Sequence, residues 1–301
     1  MLFGILCLTF ALAASSLPLE DSTLGVSDKD VLFYFYSREH PDGIHVSIDE
    51  SSDVAYIGSV FDNRKKTVVL IHGWKDGYGS DSNTYIRKSL LDAEDVNVIK
   101  VDWSKHAGKN YITAKNAVPK IGQISAKFFQ NIILSYDYSV ASYTLVGFSL
   151  GAHIVGNVGK YFNGTIPIII GLDPAKPLVN VKDKSYALNT EDAQYVQIIH
   201  TDAGSAGLKD AIGHADFYPN DGKNQPGCTL KVGCSHARAW EYFAESITSN
   251  RFVSQQCDSY NNYKNNQCTG EYAVMGGLYV DTSARGVYYL TTNSKSPYGR
   301  G

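Results

Sequence analysis

The segment Tyr143-Thr-Leu-Val-Gly-Phe-Ser-Leu-Gly-Ala-His153 admits few local structures. Its first half is a β-prone apolar run of strand length, its second half is small and helix-compatible, and the two meet at Gly147-Phe-Ser-Leu-Gly151. Glycine on each side of Ser149 lets the backbone bend sharply from strand into helix without a Cβ clash, and such a bend leaves the serine hydroxyl exposed. The five-residue pattern also arises by chance in unrelated chains, so its meaning depends on what surrounds it.

Strand-length apolar runs alternate with helix-like stretches on both sides of this turn. In order they are Thr67–Ile71, a helical stretch at Thr84–Asp92, Val96–Val101, a longer amphipathic stretch from Ala117 to Leu134, Tyr143–Val146 and Ile166–Ile170. Tyr195–Ile199 is the last strand expected in the sheet. Continuous β-branched runs separated by helices predict an α/β fold, a mostly parallel central sheet with helices on both faces. In open sheets of this kind, functional groups gather at the carboxyl ends of the strands. No Pro- or Ser-rich linker, internal repeat or charge block divides residues 31–301, so they are expected to form one domain.

The N-terminal run Leu2 to Ala14 is apolar, uncharged and followed by small residues. It predicts a signal peptide over about residues 1–16 and hence a secreted, extracellular protein, although the basic start of such peptides is missing. A buried N-terminal helix is the other reading of this run. Residues 17–30 read as a propeptide or a disordered N-terminus. No other run is long and apolar enough to predict a transmembrane segment.

Cleavage removes Cys7 and leaves Cys228, Cys234, Cys257 and Cys268 of the 5 cysteines. An even set suits two disulfides in an oxidising compartment. Three pairings are open, of which Cys228 with Cys234 and Cys257 with Cys268 closes two small loops. A zinc site is the rival, but the spacings contain no C-x-x-C pair. Asn163-Gly-Thr165 is a glycosylation sequon, which agrees with export. The formal net charge of -3 gives no support for a nucleic-acid partner.

A serine nucleophile on a parallel sheet needs an acid and a histidine, in the chain order Ser, Asp or Glu, His. Asp173 lies immediately past the strand that follows the turn, in Gly171-Leu-Asp-Pro174. An Asp before Pro is also ordinary turn chemistry, but the strand-end position favours the acid. His200, His214 and His236 all follow Asp173, and spacing does not choose among them. His200 ends a strand, where a structural pairing with Asp202 is one reading, and His214 reads as bracing its own loop. His236 precedes a helix expected from Ala237 to Ile247 and ranks narrowly first. An oxyanion hole would use the backbone N–H of Leu150 and one from the loop after Thr67–Ile71, where His72-Gly-Trp74 places Trp74. The Trp74 indole would also wall an acyl chain, unless it only plugs that loop.

Taken together in order, Val69-Leu-Ile-His-Gly-Trp74, Gly147–His153, Gly171-Leu-Asp-Pro-Ala-Lys-Pro177, Tyr195–Asp202, Asp216-Phe-Tyr-Pro-Asn220, Asn224-Gln-Pro-Gly-Cys228 and Cys234-Ser-His236 resemble the animal pancreatic-lipase family, most closely its secreted insect phospholipase A1 branch. The resemblance covers most of the chain after residue 16. It implies an α/β-hydrolase fold with a short lid, and makes Ser149, Asp173 and His236 a catalytic triad. It further implies a Ser-Asp-His acyl-enzyme mechanism acting on the sn-1 ester of glycerophospholipids at a membrane or micelle surface.

Triacylglycerol lipases of the family cover the site with a long disulfide-closed lid and a long neighbouring loop. Here only Thr229-Leu-Lys-Val-Gly233 lies between Cys228 and Cys234, and the second loop, Ala203 to Gly213, is short as well. By analogy an open cleft admits a polar headgroup, with Thr229, Leu230 and Val232 beside Trp74 as substrate-binding residues. A triacylglycerol or galactolipid lipase is the alternative, and an inactive lipase-like lipid-binding or yolk-type protein a second, disfavoured by the intact triad. The C-terminal β-sandwich of the larger vertebrate lipases is not expected here, so neither colipase nor lipoprotein partners are expected, and the chain is expected to act as a monomer. The family's acidic calcium loop is only partly echoed at Asn189 and Asp192, so neither a metal nor a cofactor is expected.

Overall fold

The computed structural model describes residues 25–51, 53–229 and 231–301. The signal-peptide reading of residues 1–16 and the lid residue Leu230 therefore lie outside the described residues. The strands are β1 (Leu32–Tyr36), β2 (Ile44–Val46), β3 (Thr67–Ile71), β4 (Asn97–Asp102), β5 (Tyr143–Phe148), β6 (Ile168–Leu172), β7 (Tyr195–Ile199), β8 (Ala215–Pro219), β9 (Val253–Gln256), β10 (Tyr272–Val274) and β11 (Gly286–Leu290). The helices are α1 (Val54–Ile57), α2 (Asp81–Ala93), α3 (Ser104–Ala107), α4 (Tyr111–Ser135), α5 (Leu150–Tyr161), α6 (Cys234–Ser246) and α7 (Tyr260–Lys264).

The strands form one 11-stranded sheet in the order β10-β9-β11-β8-β7-β6-β5-β3-β4-β1-β2. Its middle, from β4 across to β11, is parallel, and the outer strands β1, β2, β9 and β10 pair antiparallel. Every residue of β3 is buried, as expected of an apolar strand covered on both sides. Alternation along β3 divides the core. Val69 and Ile71 pack with Phe128 of α4 and Ile154 of α5, whereas Val68 and Leu70 pack with Ile86 of α2 and Phe243 of α6. The result is the expected α/β-hydrolase arrangement, a mostly parallel sheet between two helical layers.

The sheet extends beyond the expected last strand, β7. β8 carries Asp216 within it, while β9 and β10 are short and partly exposed, so none shows the continuous apolar run that marks an interior strand. Residues assigned to a propeptide or disordered N-terminus are partly built into the fold. Asp28–Asp30 is a 3-10 turn, and buried Asp30 bonds His106 Nε2 at 3.0 Å and also pairs with Lys105. Three helices start earlier than their apolar patterns suggest, α2 at Asp81 rather than Thr84 among them. α4 is capped by Asn110, whose side chain accepts from Thr113 N at 3.0 Å, and α6 begins at Cys234 rather than Ala237. Cys228 pairs with Cys234 and Cys257 with Cys268, the nearest-neighbour connectivity.

Candidate active site

β5 ends at Phe148 and α5 begins at Leu150, which leaves Ser149 alone to make the turn, at φ 56° and ψ -121°. That backbone conformation is costly for a residue with a Cβ and persists only where its surroundings impose it. Here Ser149 N donates to Leu172 O at 3.0 Å, and Ser149 O accepts from Ala152 N at 3.1 Å and Ala175 N at 3.2 Å. The flanking glycines are needed for space: a Cβ on Gly147 would lie 2.3 Å from Gly151 O, and one on Gly151 would lie 2.2 Å from Ile71 O. Leu150 is the first residue of α5, where a backbone N–H has no acceptor within its own helix and the helix dipole is positive.

Asp173 follows β6 directly and is fully buried, its own N–H bonded to Ile199 O at 2.8 Å. Its two carboxylate oxygens have different partners. Oδ1 accepts from Thr201 N at 2.8 Å and Asp202 N at 3.1 Å, and Oδ2 meets His236 Nδ1 at 2.5 Å. A carboxylate held in this way fixes the imidazole tautomer: Nδ1 carries the proton, and Nε2 is left as the basic nitrogen. His236 sits in the first turn of α6, two residues after the Cys228–Cys234 bridge, with its ring 4.6 Å from that of Phe148.

The other two histidines are elsewhere. His200 bonds Asp216 Oδ1 at 2.9 Å and Leu208 O at 3.0 Å, so its partner is Asp216 and not the Asp202 suggested by sequence. His214 accepts from Val196 N at 2.9 Å and stacks on Tyr195.

Ser149 and His236 open onto one cavity of about 590 Å³. Trp74 forms part of its wall, with its indole N–H donating to Lys109 O at 2.9 Å and its ring set edge-on to Tyr111 at 5.3 Å. Apolar Phe148, Ala175 and Pro177 line the same space. The lid contributes differently from expectation: Thr229 and Val232 are exposed and do not line the cavity, whereas Gly233 does. From the second short loop, Ala206 reaches the cavity.

Sequence reasoning missed Asp76, Tyr111 and Trp240, which also line the cavity. Asp76 lies two residues past Trp74, and burial raises its pKa. His153 was likewise missed as a positioning residue. It is fully buried on α5, bonding Ala175 O through Nε2 at 2.9 Å and accepting from Leu188 N at 3.2 Å, and thus tethers the loop after Asp173 to the helix after Ser149. Burial lowers its pKa to about 4, so the ring is neutral at pH 7. The only signal in the sequence was its place one turn beyond the elbow.

Asn163 is exposed in the turn that ends α5. Asn189 and Asp192 form a capping box, with Asp192 paired to Lys160 at 2.7 Å. Among the described residues no group of three or more His, Cys, Asp or Glu side chains is placed to hold a metal ion. No described helix is long and apolar enough to cross a membrane.

A family model described as Lipase matches residues 9–298. Pancreatic triacylglycerol lipase of Sus scrofa is 31% identical over 317 residues, covering 94% of this chain and 70% of its own length. Lipase member H of Xenopus tropicalis is 37% identical over 274 residues, with 87% and 57% covered. Pancreatic lipase-related protein 2 of Cavia porcellus is 32% identical over 244 residues, with 78% and 56% covered. The chain thus matches between 56% and 70% of the length of these relatives.

Proposed function

The chain belongs to the lipase family, and from that premise we propose that it is a secreted carboxylic ester hydrolase, specifically a phospholipase A1 that cleaves the sn-1 ester of glycerophospholipids. Ser149 is the nucleophile. His236 Nε2 takes its proton as Oγ attacks the ester carbonyl, and returns that proton to the departing lysophospholipid oxygen. Water then attacks the acyl-enzyme by the same route, and the fatty acid leaves. Asp173 holds the His236 tautomer and stabilises the imidazolium formed in each step. The N–H groups of Leu150 and Trp74 receive the developing oxyanion, and the Trp74 indole contacts the acyl chain.

One observation carries the reading of substrate class. The disulfide-closed lid has five residues, and among the described ones only Gly233 reaches the cavity, joined from the neighbouring loop by Ala206. Such a cleft accommodates a bulky polar headgroup that a long lid would exclude. Triacylglycerol hydrolysis is the second reading, favoured by the name of the Sus scrofa relative. The enzyme is proposed to act as a monomer on phospholipid membranes or micelles, without colipase, and to carry a glycan at Asn163.

Head-to-head hydrolysis of phosphatidylcholine with distinct sn-1 and sn-2 chains and of trioleoylglycerol tests this directly. The expected products are the free sn-1 acid and its lysophospholipid, and Ser149→Ala should abolish both. Preferential release of oleate from trioleoylglycerol would select the second reading, and release of the sn-2 acid would reject the A1 assignment.

A further inference from the structure

A second cavity, of about 470 Å³, adjoins the catalytic one, and Asp81 and Trp240 line both. Trp240 lies one turn beyond His236 on α6, and Tyr85 lies one turn beyond Asp81 on α2, so each helix presents an aromatic ring beside a polar group of the site. The two rings stack at a centroid distance of 5.7 Å and an interplanar angle of 21°. Tyr85 is 56% exposed, so its ring is available to a ligand.

The charged residues that line the two cavities are acidic, and the nearest cation, Arg238, sits behind the wall over the ring of Tyr298. Asp81, Glu241 and Glu245 line the second cavity, Asp76 and Asp81 the first, and neither is lined by a lysine or arginine among the described residues. Glu241 is partly neutralised by its ion pair with Arg238. Glu245 is held by neutral donors, Ser296 Oγ at 2.8 Å, Tyr298 N at 2.9 Å and Gly299 N at 2.8 Å, which orient the carboxylate without cancelling its charge.

We propose that this aromatic-walled cavity receives the quaternary ammonium of a choline headgroup while the sn-1 ester occupies the catalytic cavity, so that Tyr85 and Trp240 set a preference for phosphatidylcholine. The inference rests on the phospholipase reading of Ser149. A trimethylammonium group has no N–H to donate, so it is recognised by ring faces and by negative potential, the two features present here. Its spread charge is weakly hydrated, so seating it against the rings costs little. A net-anionic headgroup would meet the same acids without compensation. The phosphate of a choline lipid points back toward solvent, while its cation faces Trp240 and Tyr85.

The test is sn-1 hydrolysis of phosphatidylcholine and phosphatidylglycerol with matched acyl chains, each diluted in micelles of the same neutral detergent. The wild-type protein should favour phosphatidylcholine about tenfold in kcat/KM, mainly through KM, as expected for one cation–aromatic contact in a field of acids. Tyr85→Leu should lower the ratio by about threefold or more, with Trp240 and the acids keeping the remainder, and Tyr85→Phe should keep it. The readout is a ratio, so general loss of activity or of folded protein does not imitate the effect. A wild-type ratio of one or less, or an unchanged ratio in Tyr85→Leu, overturns the choline site while the phospholipase reading stands. Hydrolysis of neither phospholipid overturns both.

Discussion

Replacing Asp173 by asparagine alters one atom of the site and inverts its hydrogen bonding. Oδ1 of Asp173 accepts from two backbone N–H groups, Thr201 at 2.8 Å and Asp202 at 3.1 Å. An asparagine must keep its carbonyl on that side, because turning its NH2 toward two buried donors would leave all of them unpaired. The NH2 group then faces His236 Nδ1, where the carboxylate had accepted at 2.5 Å. Nδ1 has to become an acceptor, the proton moves to Nε2, and the nitrogen that should take the Ser149 proton no longer can. The same inversion in serine proteases lowers kcat by roughly 10^4, equivalent to about 5 kcal/mol of transition-state stabilisation, and a loss of that order is predicted here. Steady-state hydrolysis of a short-chain phosphatidylcholine at pH 7.5 measures it, with circular dichroism and thermal unfolding showing that the variant folds. Asp202→Asn is the control, since Asp202 bonds Asp173 through its backbone N–H, while its carboxylate meets Ala206 N at 3.4 Å and Ser205 and acts on the Asp173–His236 pair only through space. Its activity should fall less than about threefold, the scale of an unmade weak polar contact. Retention of a tenth or more of wild-type activity by Asp173→Asn, or a larger loss in Asp202→Asn, would refute the tautomer argument.

Two predictions concern the supports of the site. Gly151→Ala places a Cβ 2.2 Å from Ile71 O and 2.6 Å from His72 O, backbone atoms that cannot rotate away, and should cost about 3 kcal/mol or more in denaturant unfolding. Stability within about 0.5 kcal/mol of wild type, the scatter of a neutral surface substitution, would count against that close approach. His153 has its pKa lowered by burial from 6.5 to about 4, so below pH 6.5 the unfolded chain binds its proton more readily than the folded one. Stability from this group is complete above pH 6.5 and is lost as pH falls toward 4, by about 2 kcal/mol at pH 5. His153→Gln should shrink the difference in unfolding free energy between pH 7.5 and pH 5 by that amount, and an undiminished difference would assign the acid sensitivity to other groups.

The legible parts of the chain were those where one local requirement leaves few residue choices. Ser149 shows itself because a strand-to-helix turn with no room for side chains requires glycine at 147 and 151, and β3, β5, β6 and β7 show themselves as continuous apolar runs. β8 was not visible because Asp216 interrupts it, and the reason for Asp216 lies in a tertiary contact with His200 at 2.9 Å. The choice among three histidines failed from spacing for the same reason, since only three-dimensional placement distinguishes His236 beside Asp173 from His200 beside Asp216. The family resemblance pointed to the same histidine. It did not point to Trp240, whose importance depends on α6 lying against α2.

This difference has a structural cause. β5 and β6 pair in parallel with Gly147 opposite Gly171 and Phe148 opposite Leu172, and Ser149 N continues the ladder to Leu172 O. The separation of Ser149 from Asp173 is therefore set by sheet register, and a slip of one residue would turn the apolar faces of both strands outward. His236 is brought in by α6, whose first residue is clamped by the bridge to Cys228. The proposed triad thus rides on elements that the core cannot shift without unfolding. Asp81, Tyr85 and Trp240 instead lie on the facing surfaces of α2 and α6, where Tyr85 remains more than half exposed. On the proposed reading, substitution there would change what the cleft admits while leaving the sheet intact, so headgroup choice would vary on a frame that does not.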